Sequence, residues 1–174
     1  MKRLTIGMLT FAALCACAVM ATAQRNPRGN AKVNLNGQTV TIDYGRPSLK
    51  GRKVEDMLGQ VKAGGVWRLG ADQSTTFTTG TDLDFGGVTV PKGTYSLWAR
   101  KEADGGWKLV FNTQHGQWGT NHDASKDAYS APLTESKAGS PAEQVTINLA
   151  EASGGGRITI EWGDMQLAAD FKAK

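Results

Sequence analysis

Short runs in which apolar and polar residues alternate, each closed by a glycine- or asparagine-bearing turn, limit this chain more than any other feature. Val40, Ile42 and Tyr44 share one side of an extended segment, and Thr39, Thr41 and Asp43 share the other. The same period returns in Tyr95, Leu97 and Ala99, in Trp107, Leu109 and Phe111, in Val145, Ile147 and Leu149, and in Ile158, Ile160 and Trp162. Met165, Leu167, Ala169 and Phe171 make a last run. Successive side chains of a strand point to opposite faces, so each run predicts a strand with one buried face. Asn36-Gly37, Gly86-Gly87, Gly105-Gly106 and the Gly154 to Gly156 run supply the positive φ that two-residue hairpins need. Pro91 with Gly93 predicts a tight turn feeding the Tyr95 strand. Strands that follow one another without helices between them imply an all-β fold, a single antiparallel β-sandwich that is jelly-roll-like or a partly open barrel. One short helix is expected from Val54 to Leu58, and no internal repeat is visible.

Two segments break the alternation. Gly45 to Gly65 is a long connection rich in Gly, Lys and Arg, and Thr113 to Ala142 is polar, holds both histidines and has room for one short strand around Tyr129. Connections of that length in a compact domain commonly carry its function.

The first residues read as an export signal. Lys2 and Arg3 precede an apolar run from Leu4 to Met20 that ends in Ala21-Thr22-Ala23, too short for a bilayer span and closed by a small-x-small cleavage site. Residues 1–23 are therefore expected to be removed, leaving an N-terminal extension and first strand over 24–36 and a sandwich domain over 37–174 in the periplasm or secreted. Cys15 and Cys17 both fall in the removed segment, so the remaining domain would have neither a disulfide nor a thiolate metal site. The alternative reads Leu14-Cys15-Ala16-Cys17 as a lipobox with Cys17 lipidated. Losing Lys2 and Arg3 lowers Lys plus Arg from 20 to 18 against 16 acidic residues, a net charge of +2. With no basic run interleaved with aromatics, nucleic acid is not an expected partner. No other stretch is apolar for long enough to span a membrane. About 150 remaining residues suffice for a core that needs no staples.

Chemistry is sparse. His115, His122 and Asp123 lie within nine residues and are of the right types for a divalent ion, but their spacing matches no ligand motif, and a solvated loop is the better reading, so no metal is expected. Gly-x-Ser-x-Gly is absent, and Ser153 among its glycines reads as a turn. The glycines sit in hairpins and not ahead of a helix, so no nucleotide cofactor is implied. What remains is a cationic and aromatic set, Arg46, Arg52, Trp67, Arg68, Tyr95 and Trp118, with Asp72 nearby. Guanidinium forks recognise carboxylate, phosphate or sulfate, and flat rings stack, so this set suits a glycan or an anionic small molecule. The competing reading places Trp67 and Tyr95 in the core, with the arginines stapling loops to backbone carbonyls. A binding or accessory module is therefore expected, with an extracytoplasmic hydrolase or lyase and a structural envelope protein as alternatives.

Several local phrases carry a resemblance: Asp43-Tyr44-Gly45-Arg46-Pro47 running to Lys50-Gly51-Arg52, Val66-Trp67-Arg68-Leu69-Gly70-Ala71, Pro91-Lys92-Gly93-Thr94-Tyr95-Ser96-Leu97, Trp107 to Asn112, and Gln117-Trp118-Gly119. Over about residues 37 to 171 the chain resembles the DUF2911 family of bacterial extracytoplasmic β-rich proteins, a resemblance that implies location and fold but no activity. After the Trp-Arg pair the family pattern runs Gly-Ala-Asn-Glu, whereas this chain has Gly70-Ala71-Asp72-Gln73. The acidic group is displaced by one position and would not reach the same pocket. If the family uses a catalytic Glu there, this member lacks it.

Overall fold

A computed structural model describes residues 25–174. The expected export segment, with Ala21-Thr22-Ala23, Cys15 and Cys17, lies outside the described residues. Ten strands follow in chain order: β1 Arg28–Leu35, β2 Gln38–Gly45, β3 Val66–Trp67, β4 Thr76–Thr79, β5 Leu83–Phe85, β6 Val88–Val90, β7 Gly93–Lys101, β8 Trp107–Asn112, β9 Asp127–Ala152 and β10 Gly155–Ala173. All pairings are antiparallel, in the order β1-β2-β4-β7-β8-β9-β10-β5-β6, with β3 on β7. The path starts at β1 and ends at β6 without closing into a barrel, an all-β sandwich. The only α-helix among the described residues is α1, Val54–Leu58, as the sequence predicts.

The alternating residues are the core. Val40, Ile42, Phe77, Leu97, Leu109, Phe111, Val145, Ile147, Ile158, Ile160 and Leu167 are all at or near complete burial. In β7 the opposite face is covered as well, because Ser96 and Trp98 are as inaccessible as Tyr95 and Leu97.

β9 and β10 join the two layers. β9 pairs with β8 over its first residues, Leu133 facing Trp107, and with β10 from Thr134 onward. β10 bends at Gly163, which takes φ +60 between two register shifts. The bend changes the parity of inward positions, from Ile158, Ile160 and Trp162 to Leu167 and Phe171, so the two final runs of the sequence are one strand.

Two expectations are corrected. Only Thr113 to Lys126 is an open connection, and it ends in a 3-10 turn at Ala124–Lys126; the rest of the expected loop is β9. Residues 134–141 do not look like a strand because that arm faces solvent, with only Ala138 buried, and their ladder to β10 supplies the order instead. In the Gly154 to Gly156 run, the turn is Ser153-Gly154, with φ 45 and 75. Gly155 and Gly156 are inside β10, where a Cβ would lie 2.1 Å from the Phe171 carbonyl oxygen and 2.5 Å from the Phe171 ring.

The Tyr44 to Leu49 segment closes the sandwich against the free edge of β9. The Tyr44 hydroxyl accepts the Ile147 N–H at 2.9 Å and donates to the Ile147 carbonyl at 3.2 Å. Arg46 Nε donates to the Val145 carbonyl at 3.2 Å, and the Val145 N–H donates to Pro47 O at 3.1 Å. The Leu49 N–H then reaches Glu143 O at 2.9 Å. Val145 and Ile147 are buried, so their strand-edge groups would otherwise be orphans. The chain can leave β2 this way because Gly45 crosses the 70–71 backbone: a Cβ there would lie 2.1 Å from Ala71 O.

Candidate functional site

Beside α1 lies a cleft of about 600 Å³, within the range of small-molecule sites. Its apolar surface comes from three tryptophans on three strands, Trp67 of β3, Trp98 of β7 and Trp162 of β10, with Met57, Leu58 and Val61 at their side. Trp67 stacks on Trp162 with centroids 5.7 Å apart and planes 10° from parallel, and meets Trp107 edge-on at 6.4 Å. Trp98 is held by its Nε1, which donates to Ser96 Oγ at 2.9 Å. The polar rim comes from the loops: Lys50 and Arg52 ahead of α1, Arg68 after β3, and Gly119, Thr120 and His122 from the Thr113 to Lys126 connection.

Charge in the cleft has one sign. Lys50, Arg52 and Arg68 line it, and among the described residues no Asp or Glu does. Arg52 is oriented by the Leu49 and Ser48 carbonyls at 2.7 and 3.1 Å. Arg68, half-buried, forms no side-chain hydrogen bond or ion pair with any described residue. Neither Asp43 nor Asp72 pairs with it: Asp43 pairs with Arg28, and Asp72 accepts the Asn26 N–H at 2.8 Å. Among the described residues Leu69 and Asp72 take left-handed φ (54 and 63) outside a two-residue turn, whereas Lys50 (52), like Asn36 and Ser153, precedes a positive-φ glycine in a tight turn. Strain of this kind gathers where surroundings fix a functional loop.

His122 is the one titratable ring in the cleft. Its Nε2 lies 2.9 Å from Asp127 Oδ1, and the same oxygen accepts Asn112 Nδ2 at 2.7 Å. Asn112 is fully buried and also binds Asp123 O and the Gln114 N–H. The imidazole packs on Trp98 at 4.6 Å, and its Nδ1 has no partner among the described residues.

The structure brings Arg52, Arg68 and His122 of the expected residues to this cleft, while Trp67, 7% exposed, is a core residue that forms its floor. Arg46 is turned away to Val145 and Thr146, stapling β9. Asp72 tethers the N-terminal segment at Asn26. Tyr95 is a core residue bonded to Pro91 O at 2.9 Å, and burial of its ring holds its hydroxyl above the ordinary phenol range. Trp118, 48% exposed, precedes the cleft residue Gly119 but does not line the cavity. His115 is exposed, and Asp123 turns to Ser125, whose hydroxyl and N–H hold the carboxyl below the ordinary range. Among the described residues no group of three His, Cys, Asp or Glu side chains is arranged for a metal ion. Nor is any described helix long and apolar enough to cross a membrane. Lys50, Trp98, Trp162, Asn112 and Asp127 join the site without a local signal. Trp98 and Trp162 lie in strand runs where an aromatic reads as core, and Asp127 meets His122 only through the fold of the loop.

A family model described as "Protein of unknown function (DUF2911)" matches residues 26–171. Neither the curated proteins nor the solved structures yield a match.

Proposed function

The chain belongs to the DUF2911 family, to which no function is assigned, and we propose that its cleft binds an anionic ligand with a flat ring-bearing body, acidic glycans being the class that suits it. One observation carries this reading: among the described residues three cations and no carboxylate line a tryptophan-floored cleft, and one of those cations, Arg68, has no side-chain partner among them. A half-buried guanidinium left unpaired is a vacancy for a carboxylate, sulfate or phosphate, which it binds through two parallel N–H donors. The indoles are nearly buried, with Trp67 7%, Trp98 2% and Trp162 4% exposed, so they offer a ligand apolar edges at the cleft floor and not open faces. The protein acts outside the cytoplasm on this reading, where such glycans are met.

Thermal-shift measurement against oligogalacturonate, chondroitin sulfate oligosaccharide and neutral cello-oligosaccharide tests it. An acidic probe at a hundred times its dissociation constant stabilises by about 2.7 kcal/mol, and the neutral one should not. Arg68→Ala should keep the parental melting temperature within a degree or two, because no described group loses a partner, and should abolish the response. A pronounced loss of stability with the response intact, or no response to any acidic probe, overturns the proposal.

A further inference from the structure

We infer that the cleft is catalytic and cleaves an acidic glycan by β-elimination, with His122 as the base; the inference rests on the acidic-glycan reading above. The side chains present decide among reactions. Glycosidic hydrolysis by paired carboxylates needs two acids flanking the bond, and no acid among the described residues lines the cleft. Nucleophilic catalysis needs a hydroxyl or thiol hydrogen-bonded to its base, and among the described residues none bonds to the open Nδ1 of His122. Removing a proton from the carbon next to a uronate carboxylate asks for less: one base, and cationic charge on the carboxylate.

The cleft holds both. A neutral imidazole that donates Nε2–H to Asp127 offers Nδ1 as the acceptor, and the carboxylate steadies the imidazolium that forms. Asp127 is in turn fixed by the fully buried Asn112, and the ring by Trp98, so the base is preorganised. Arg68 runs against the loop that carries it, its Cδ 3.4 Å from where a Cβ on Gly119 would stand, three residues before His122. There the guanidinium neutralises the uronate carboxylate, whose charge grows as the adjacent proton departs. The buried tryptophans form an apolar floor beneath the sugar ring.

The step balances without a co-reactant. The C–H bond beside the carboxylate breaks, its proton passes to Nδ1 of His122, and its electron pair forms a ring C=C bond. The neighbouring C–O glycosidic bond breaks, and the leaving oxygen takes the proton from the imidazolium, returning His122 to its neutral form.

The test incubates the protein with polygalacturonate, alginate, hyaluronate and heparin, and follows the ultraviolet absorbance of the unsaturated uronate together with the product mass, lighter by one water than a hydrolytic product. Binding is measured separately by thermal shift. At least one polymer should give unsaturated ends. His122→Gln should cut turnover about 100-fold or more with the probe still bound. Asp127→Asn, a change at a positioning residue, should lower kcat with KM unchanged and a parental melting temperature. A probe that binds but yields no unsaturated product overturns the catalysis and leaves the binding reading standing. No binding and no turnover overturns both, and undiminished turnover in His122→Gln removes the base.

Discussion

Replacing Tyr44 with phenylalanine removes one oxygen atom and leaves two backbone groups without partners. The ring is 4% exposed and Ile147 is 1% exposed, so water does not replace the lost hydroxyl. The Ile147 N–H loses an acceptor at 2.9 Å and its carbonyl loses a donor at 3.2 Å. An orphaned buried group costs about 1–3 kcal/mol. With the longer carbonyl bond near the low end of that range, the pair amounts to about 2–4 kcal/mol. In a domain of this size each kcal/mol moves Tm by about 2–4 °C, so Tyr44→Phe should melt roughly 5–15 °C below the parent. Calorimetry gives the melting temperature, and urea unfolding should give a lower midpoint at the same m value. Tyr95→Phe is the internal comparison, because its hydroxyl serves only the Pro91 carbonyl, and it should cost about 1 kcal/mol. A loss below about 0.5 kcal/mol in Tyr44→Phe, or one no larger than in Tyr95→Phe, would refute the argument that this hydroxyl satisfies the edge of β9.

Trp162→Ala should destabilise by about 3–5 kcal/mol through lost burial and a cavity beneath Trp67; a variant melting within a degree or two of the parent would mean that Trp162 does not belong to the core. Burial raises the folded-state pKa of Tyr95 above its unfolded value, so its contribution to stability is complete below about pH 10 and is lost as pH rises through the folded value. Denaturation midpoints should therefore fall on the alkaline side more gently in Tyr95→Phe, and parallel curves for the two proteins would contradict this. Intact mass of protein recovered from outside the cytoplasm should correspond to a start at Gln24, open or cyclised to pyroglutamate; a diacylglyceryl mass on Cys17 would instead make it a lipoprotein.

The sandwich was legible because period-two patterning is a local signal that burial writes directly into the chain, as Val40, Ile42 and Tyr44 illustrate. The inward parity of both final runs was legible, but not that a bulge at Gly163 joins them into one strand, because a single positive-φ glycine is indistinguishable in sequence from a turn. The solvent-facing arm of β9 was illegible for the opposite reason: with only Ala138 buried between Thr134 and Pro141, nothing imposes alternation there. At the site, Arg52, Trp67 and Arg68 were legible as a cationic and aromatic set. Arg46 was not separable from them, since sequence distance says nothing about its reach to Val145, about a hundred positions away. The His122–Asp127–Asn112 chain was likewise hidden, for it exists only once the loop folds back on β8 and β9.

The outer edge of β9 from Glu143 to Ile147 is sealed by a phenol, a guanidinium and a few amides from residues 44–49, not by a full strand. An uncovered strand edge is a template on which a second chain can add, and this short cover removes that template along β9. The same cover leads directly into Lys50 and Arg52 at the cleft rim. An anion held by those cations would pin the cover in place, and the solubility of the protein would then rise with occupancy of its cleft, a link between recognition and colloidal behaviour that passes through half a dozen consecutive residues.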